Sequence, residues 1–586
     1  MRSRTLLHLV LLCTLICVGC VMDKREAPNQ VHNVAIVDIS ALSECKQGET
    51  IPITVSLANQ GTERETFRVT LTEGISRKEI GRKELTLAKK CKDGAVNTAK
   101  DYQVFQVDTD ETSTQGYDVW AKGDVNKDGY SDILISEACW NQFTGRVFFF
   151  YGGEDIDLSS PDMVFEGENV GDCFGHGYRP GVFGDINHDG FDDIVIGAHG
   201  YNNWAGRVYI FYGGPNIDHI WDIVIDGEDG ASGRFGWGKD VVDIDKDGFN
   251  DLVIGAQGYD QRRGRVYIFW GGEKMDTRAD LILEGEEFPE PNPFGTWPKP
   301  ADNSPTRGTY FGRSLDAGGD INGDGYNDIL VGARYAGGAK DNGSAYLFFG
   351  NTKKEMDSIC DYTFRGKEAR GQMGSSVELC DIDNDGFGDV IIGARFGRNG
   401  RGAVYIWWGS NDFDGDKPAD LVLQGKVVKR NNMGGDTIIC EDFNNDGYGD
   451  ILVSAYNYPG YSIVHGGAYL FYGNRQGVMD AVCDHIIYPP KEDTKYFGFS
   501  VSAGDVNNDG YTDAFISAPG ADPVNGKSFL YYGPFEDSTT VTFNWDTTNA
   551  AIGKHTIKVE IPPVPGEHNI ENNVKTITIE VTEPTN

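Results

Sequence analysis

Short apolar or alternating runs, bounded by glycine- and aspartate-rich turns, recur in sets of four between residues 100 and 535. The first run of a set often opens with Phe-Gly, as at Phe235-Gly236, Phe311-Gly312 and Phe497-Gly498. The second reads DIVIGA, DLVIGA, DILVGA or DVIIGA, and the third is aromatic-rich, as in GRVYIFYGG, GRVYIFWGG and GAVYIWWGS. The fourth is brief: DMVFEG, DIVIDG, DLILEG, DLVLQG. Apolar runs of this length between turn residues predict β-strands. An acidic loop separates the first and second runs seven times, starting at Asp124, Asp185, Asp243, Asp320, Asp381, Asp442 and Asp505. The intervals are 61, 58, 77, 61, 61 and 63 residues, a period that signals a propeller or a solenoid. Four strands in each of seven units predict an all-β fold, a seven-bladed β-propeller. The seventh set ends at GKSFLYYGP without a fourth run, while an orphan run, DYQVFQ at residues 101–106, precedes the first. A ring uses that orphan to complete its last blade, whereas a solenoid has no place for it.

The flanks alternate apolar and polar residues without the acidic loops. Residues 32–90 contain VAIVDIS, IPITVSLANQG and TFRVTLTEG, and residues 536–586 contain TTVTFNW, KHTIKVEI and VKTITIEV. Neither piece has enough strands for a β-sandwich, but four from the first and three from the second suffice. The expected architecture is therefore the propeller of residues 100–535 inserted into one sandwich. A ring brings its own ends together and does not strain such a host. Two separate β segments would instead leave unpaired edges.

Each acidic loop places oxygen-bearing side chains at positions 1, 3, 5 and 9, an aromatic residue at 7 and glycine at 6. Positions 1, 3, 5, 7 and 9 are Asp124, Asn126, Asp128, Tyr130 and Asp132 in the first loop, and Asp185, Asn187, Asp189, Phe191 and Asp193 in the second. They are Asp243, Asp245, Asp247, Phe249 and Asp251 in the third, and Asp320, Asn322, Asp324, Tyr326 and Asp328 in the fourth. The fifth has Asp381, Asp383, Asp385, Phe387 and Asp389, and the sixth Asp442, Asn444, Asp446, Tyr448 and Asp450. The seventh has Asp505, Asn507, Asp509, Tyr511 and Asp513. Hard oxygen donors on a loop with a glycine turn, position 7 adding its carbonyl, describe calcium sites, up to seven of them. An EF-hand needs a glutamate at position 12 and flanking helices; position 12 here is apolar, as at Val331, and the flanks are strands. A bound divalent cation explains why so many aspartates crowd together.

The formal charge of −37 argues against nucleic acid or anionic membrane surfaces as partners. The first twenty residues, MRSRTLLHLVLLCTLICVGC, form an export leader, too short in its apolar run to remain as a membrane span. Their CVGC ending resembles a bacterial lipobox with Cys20 as the lipidated residue, although Cys17 stands where leucine is usual. Residues 21–31 then serve as a linker, and a lipid anchor is the expected membrane contact. Cleavage near Gly19 would instead release the chain. Either way the protein is expected outside the cytoplasm, at a cell surface or outer membrane, or secreted. Eight cysteines follow the leader without the paired spacing of a zinc site, and their disulfide pairing stays open. His176, His188 and His199 share no ligand spacing, and HExxH, G-x-S-x-G and phosphate-binding motifs are absent.

Phe-Gly, the D-x-D/N-x-D/N-G-x-x-D loop and Gly-Ala together resemble the FG-GAP repeats of integrin alpha subunits and their bacterial relatives. Met373-Gly374, Met433-Gly434 and, in the first copy, Gly116-Tyr117 depart from Phe-Gly, and Ser-Ala replaces Gly-Ala in the last two copies. The flanking sandwich resembles the bacterial cell-adhesion-related (CARDB) Ig-like domain, with Gly-Lys-His-Thr and Glu-Asn-Asn matching its usual ending. The resemblance implies calcium on one face of the propeller and ligand contact on the other, through the loops joining strands 2–3 and 4–1. On those loops stand Trp140, Trp204, Tyr259, Arg262, Arg263, Tyr335 and Tyr456. Trp297 stands in the proline-rich insertion Glu286–Gly308. Arginine and aromatic residues suit a protein or glycan partner. The expected function is adhesion or ligand binding without catalysis; the alternatives are a structural envelope component and a polysaccharide-acting enzyme. An enzyme would reveal itself as a cluster of titratable groups in the central channel or on the ligand face.

Overall fold

The computed structural model describes residues 34–40, 44–46, 50–59, 65–73, 78–87, 102–106, 118–228, 232–272, 275–286, 308–336, 341–424, 432–456, 466–489, 494–519, 526–533, 535, 538–548, 550–561 and 574–583. Cys20, the leader and linker, Gly116-Tyr117, Trp297 and residues 287–307 of the insertion lie outside them. The chain forms two compact units, one of residues 93–535 and one of its two ends, 1–92 with 536–586.

Seven four-stranded antiparallel sheets make up the larger unit. Blade 1 comprises Val119–Ala121, Ile133–Glu137, Arg146–Phe150 and Met163–Glu166, and blade 2 Gly181–Gly184, Asp193–Ala198, Arg207–Phe211 and Ile223–Asp226. Blade 3 is Phe235–Val242, Asp251–Ala256, Arg265–Phe269 and Leu281–Glu284, and blade 4 Ser314–Gly319, Asp328–Ala333, Ser344–Phe348 and Tyr362–Arg365. Blade 5 is Met373–Cys380, Asp389–Ala394, Ala403–Trp407 and Leu421–Gln424, and blade 6 Ile438–Glu441, Asp450–Ala455, Gly467–Phe471 and His485–Ile487. Blade 7 takes Val501–Gly504, Asp513–Ala518 and Lys527–Tyr531 from its own repeat and Tyr102–Phe105 from the start of the unit. The orphan run pairs antiparallel with the third strand, Tyr531 opposite Tyr102 and Ser528 opposite Phe105. Phe105 then packs with Val119 and Phe148 of blade 1 and Leu530 of blade 7, so the last blade closes on the first.

The Phe-Gly and Gly-Ala signatures have one steric cause. The glycines of Phe235-Gly236, Phe311-Gly312 and Met373-Gly374 have φ of 88°, 78° and 75°, which L side chains rarely adopt. Their carbonyls press on the second-strand glycine of the preceding blade. A Cβ on Gly255 would lie 2.0 Å from the Gly312 carbonyl oxygen, and one on Gly197 2.1 Å from that of Gly236. Blade 2 carries the same left-handed Phe-Gly turn at Phe174-Gly175, with Phe174 buried and Gly175 at φ 74°, although blade 1 has Ser136 where blades 2 and 3 have the packed glycine. Where serine replaces the glycine, its hydroxyl works within the blade: Ser454 accepts the Thr437 N–H at 3.0 Å and Ser517 that of Ser500 at 2.9 Å. Gly255→Ala is therefore expected to destabilise the protein by about 1–3 kcal/mol, because backbone rather than a flexible side chain must yield. Urea unfolding checks this, and an unmoved midpoint would refute the close-approach account.

A disulfide joins Cys380 and Cys440, on the first strands of blades 5 and 6, one and two residues before their acidic loops. In the smaller unit, one sheet orders Val34–Ser40, Thr50–Asn59 and Ser538–Asp546. The other orders Glu44–Lys46, Val574–Thr582, Gly553–Glu560, Glu65–Glu73 and Lys78–Leu87. Both sheets therefore mix strands from the two ends of the chain. The first end supplies five strands rather than the four expected, because Glu44–Lys46 pairs in parallel with Val574–Thr582. Along Gly553–Glu560 and Val574–Thr582, Ile557, Val559, Ile579 and Val581 are fully buried at every second position, as a half-buried sheet requires. Among the described residues no helix is long and apolar enough to cross a membrane.

Candidate functional site

Because each blade is antiparallel, its 1–2 connection leaves one end of the sheet and its 2–3 and 4–1 connections the other. All seven acidic loops are 1–2 connections and share one hydrogen-bond framework. The position 1 carboxylate accepts the position 5 N–H with one oxygen and the glycine N–H with the other, as Asp320 does from Asp324 at 3.1 Å and Gly325 at 2.8 Å. The position 5 carboxylate turns back to the N–H of position 7, Asp324 to Tyr326 at 3.0 Å. Position 4 is left-handed in every loop, from φ 52° at Asn384 to 73° at Gly323, and position 6 is glycine at φ 86–95°. The second left-handed turn explains why position 6 is never anything else.

Position 9 begins the second strand, or in blade 1 directly precedes it, and is buried in all seven blades. Asp328 accepts the N–H of Ile321 at 2.8 Å on one oxygen and that of Gly350 at 2.8 Å on the other. Asp132, Asp193, Asp251, Asp389, Asp450 and Asp513 repeat this clamp with Gly152, Gly213, Gly271, Gly409, Gly473 and Gly533. The clamp was not foreseen: position 9 locks the loop to the end of the third strand. Burial pushes Asp132, Asp193, Asp251 and Asp513 up to about 7 and Asp328 and Asp389 to about 8, against the two amide hydrogen bonds that favour the charged form. The facing carboxylates of positions 1 and 5 add to the rise.

The residues fit a hard cation. Carboxylate oxygens of Asp243, Asp245 and Asp251 converge within 4.8 Å, as do those of Asp381, Asp383 and Asp385. Asp383 is buried, and its Oδ1 has no hydrogen-bond partner. A divalent ion would relieve both the crowding and that orphaned oxygen. The third loop differs, because Lys353 from the neighbouring blade places its ammonium 2.6 Å from Asp247 and 3.9 Å from Asp245.

The opposite end carries the residues singled out for ligand contact. In blades 1–3 the 2–3 loop runs through three consecutive left-handed residues: Asn141, Gln142 and Phe143; Asn202, Asn203 and Trp204; Asp260, Gln261 and Arg262. Such runs cost roughly 1–3 kcal/mol per non-glycine residue and persist only where packing imposes them. In blades 1 and 2 the third member stands outward, with Phe143 53% and Trp204 41% exposed. Trp140 lies under the Arg146 guanidinium at 4.8 Å, Tyr259 under Arg265 at 3.6 Å, and Trp204 under Arg234 at 4.7 Å. Arg262 faces the Tyr310 ring at 5.6 Å, and Tyr335 packs on the same ring at 5.0 Å. Arg263 turns inward, donating to the Gly285 carbonyl at 2.6 Å and pairing with Glu284. Tyr456, placed by its loop among the contact residues, is buried against Phe499 because blade 7 covers it.

The central channel does gather titratable groups, in a cavity of about 390 Å³ lined by the first strands. Arg179 holds Asp316 at 2.7 Å, Glu378 at 3.1 Å and Asp240 at 3.3 Å while lying 4.2 Å over the Trp120 ring. One guanidinium thus ties together side chains from blades 1, 3, 4 and 5. Burial pushes Asp240 up to about 7 and Glu378 well above its usual range, with Arg179 opposing. Sequence reading missed this network, although Asp240, Asp316 and Glu378 each stand three or four residues before an acidic loop. The histidines also differ from expectation. His176 and His199 meet Cys173 near the 2–3 loop of blade 2, whereas His188 sits at position 4 of the second acidic loop beside Phe249.

A sequence profile of the FG-GAP repeat matches residues 181–211, 235–269, 311–348, 373–407 and 497–531, each stretch spanning an acidic loop and ending on a third strand. Among curated proteins the chain is similar to integrin alpha-5 of Xenopus laevis, 31% identical over 229 residues that make up 37% of this chain and 20% of that one. It is similar to integrin alpha-PS2 of Drosophila melanogaster, 29% identical over 40% of this chain and 16% of the relative. It is also similar to phosphatidylinositol-glycan-specific phospholipase D of Mus musculus, 32% identical over 29% of this chain and 19% of the relative. The chain spans about a fifth of the length of these proteins. The "Structure of Dos1 propeller" aligns with 86% of this chain and 98% of its own at a TM-score of 0.37 and 8% identity; the fold assignment rests instead on the strand pairing. The chain thus carries FG-GAP repeats on an integrin-alpha-like, seven-bladed propeller.

Proposed function

We propose that this is an exported calcium-binding adhesion protein that engages an extracellular protein or glycan through the 2–3 and 4–1 loops. The smaller unit is an Ig-like sandwich that carries the propeller as an insertion, and the leader anchors the chain through Cys20 or releases it. Calcium in the acidic loops holds the blades in register and leaves the opposite end to the partner. The observation that carries the reading is the display of Phe143 and Trp204 by strained left-handed turns on that opposite end. Large exposed aromatic groups on rigid turns suit recognition, and packing alone gives no reason to expose them.

The similarity to a phospholipase D raises an enzymatic alternative. The channel carboxylates are engaged by Arg179, which favours binding over catalysis as the role of this chain. A panel of matrix proteins and surface glycans, presented to residues 21–586 with calcium and with EGTA, tests the reading. Saturable binding that EGTA abolishes is expected. Phe143→Ala and Trp204→Ala should each weaken it by at least about tenfold while leaving the melting temperature unchanged. Binding indifferent to both substitutions, or none by folded protein, would overturn the assignment of that surface.

A further inference from the structure

We infer that Cys173, His176 and His199 form a binding site for one zinc-class divalent cation, at the opposite end of blade 2 from its acidic loop. The Cys173 sulfur and one ring nitrogen from each histidine lie within 4.8 Å of one another. A single ion with zinc–sulfur and zinc–nitrogen bonds of about 2.0–2.3 Å would draw all three atoms inside that limit. The donor set is soft, unlike the all-oxygen acidic loops, so the two kinds of site would select different metals.

Local structure presents these ligands. Cys173 occupies the left-handed position before Phe174-Gly175, at φ 54°, and its N–H donates to the Phe143 carbonyl at 2.7 Å. Equivalent left-handed positions before the other blades hold Arg234, Tyr310, Gln372, Asn432 and Tyr496. Among the described residues blade 2 alone puts a thiol there. His176 follows on the strand lead-in and bridges to Ala198, which places it beside the next residue, His199. His199 places Nδ1 3.0 Å from the His176 carbonyl oxygen. When Nδ1–H donates there, the tautomer is set and the Nε2 lone pair is free for a metal, the outer-shell arrangement that metal-bound histidines commonly use. Trp237 packs on both rings, at 5.1 Å from His176 and 4.6 Å from His199, and fixes their planes. Cys173 and His199 are buried, so a bound ion would be shielded from bulk water.

The surroundings limit which ion fits. Arg313, Arg234 and Lys239 lie near enough for their positive charges to bear on His176. A cation held only by neutral ligands would be repelled. Binding that converts the Cys173 thiol to thiolate, releasing its proton to solvent, supplies one compensating negative charge. Three protein ligands leave a fourth position open for water or a partner's donor group. Cys139 is close enough to influence the Cys173 thiol but is not among the converging ligands.

The test uses residues 21–586, reduced, freed of transition metals and kept in millimolar calcium so that the acidic loops are not the variable. Titration with cobalt(II) should give one equivalent bound, with a sulfur-to-cobalt charge-transfer band that zinc bleaches. Cys173→Ser should remove the band. His199→Gln should weaken binding at least about tenfold, since even outer-shell changes cost 10–100-fold. Cys139→Ser should leave the band in place. Unchanged calcium content and circular dichroism would show the variants folded. Absence of a charge-transfer band, a band surviving Cys173→Ser, or a Cys139–Cys173 disulfide in the chain isolated without reductant would each overturn the site.

Discussion

Removing calcium is expected to lower the unfolding free energy of the propeller by roughly 3–10 kcal/mol. With dissociation constants of 10⁻⁴–10⁻³ M and millimolar free calcium, each loop contributes about 0.4–1.4 kcal/mol by mass action. Seven loops together approach the whole net stability of an ordinary domain, about 5–15 kcal/mol. The effect should be large because the loops do not stand alone. Asn327 of the fourth loop donates to the Asp243 carbonyl of the third at 2.9 Å, and Thr512 of the seventh to that of Asp442 at 2.9 Å. Ions lost from one loop therefore loosen its neighbour. The third loop should suffer least, since Lys353 already supplies a cation there. Urea denaturation in calcium and in EGTA measures the difference, and coincident curves would contradict it.

Arg179→Met should destabilise the protein by about 3–5 kcal/mol at pH 7, the cost of leaving buried charges without their partner. Three carboxylates, Asp240, Asp316 and Glu378, would then share the channel without the guanidinium. The loss should shrink as pH falls, because neutral carboxyls no longer need the arginine. Asp240 gives the wild-type sign. Its folded-state pKa is raised to about 7 by burial, above an unfolded value near 4. Protonation therefore favours the folded state fully below about pH 4, and that contribution is lost as pH rises through 7. Chemical unfolding at pH 5 and pH 8 separates the cases. A variant equally destabilised at both would mean that Arg179 acts by packing on Trp120 and not by charge.

The propeller was legible because its information is local and repeated. A run such as DIVIGA is short, apolar and fenced by turns, and the acidic loop before it marks the register of every blade. Even the closing strand could be read, since the seventh set lacked a partner and residues 101–106 lacked a home. What escaped depends on contacts across repeats. Cys380 and Cys440 lie 60 residues apart, one short of the 61-residue interval between their loops, so they meet on the first strands of adjacent blades one position out of register. Cysteine spacing alone does not distinguish that pairing from others. Arg179 meets carboxylates from three other blades because first strands line one channel, a consequence of closure that no single strand announces. His176 and His199 lie 23 residues apart, yet the second strand of blade 2 returns one beside the other. The double clamp at position 9 was half visible, as an invariant aspartate, but its partners are glycines after the third strand, 20 or more residues later.

The central claim is that the acidic loops hold calcium and that this holds the propeller rigid. Equilibrium dialysis of residues 21–586 against calcium, beside the Asp320→Ala variant, tests it most directly. The account predicts up to seven ions per chain, one fewer in the variant, with resistance to proteolysis rising as sites fill. Fewer than two ions, or a count that Asp320→Ala leaves unchanged, would contradict it.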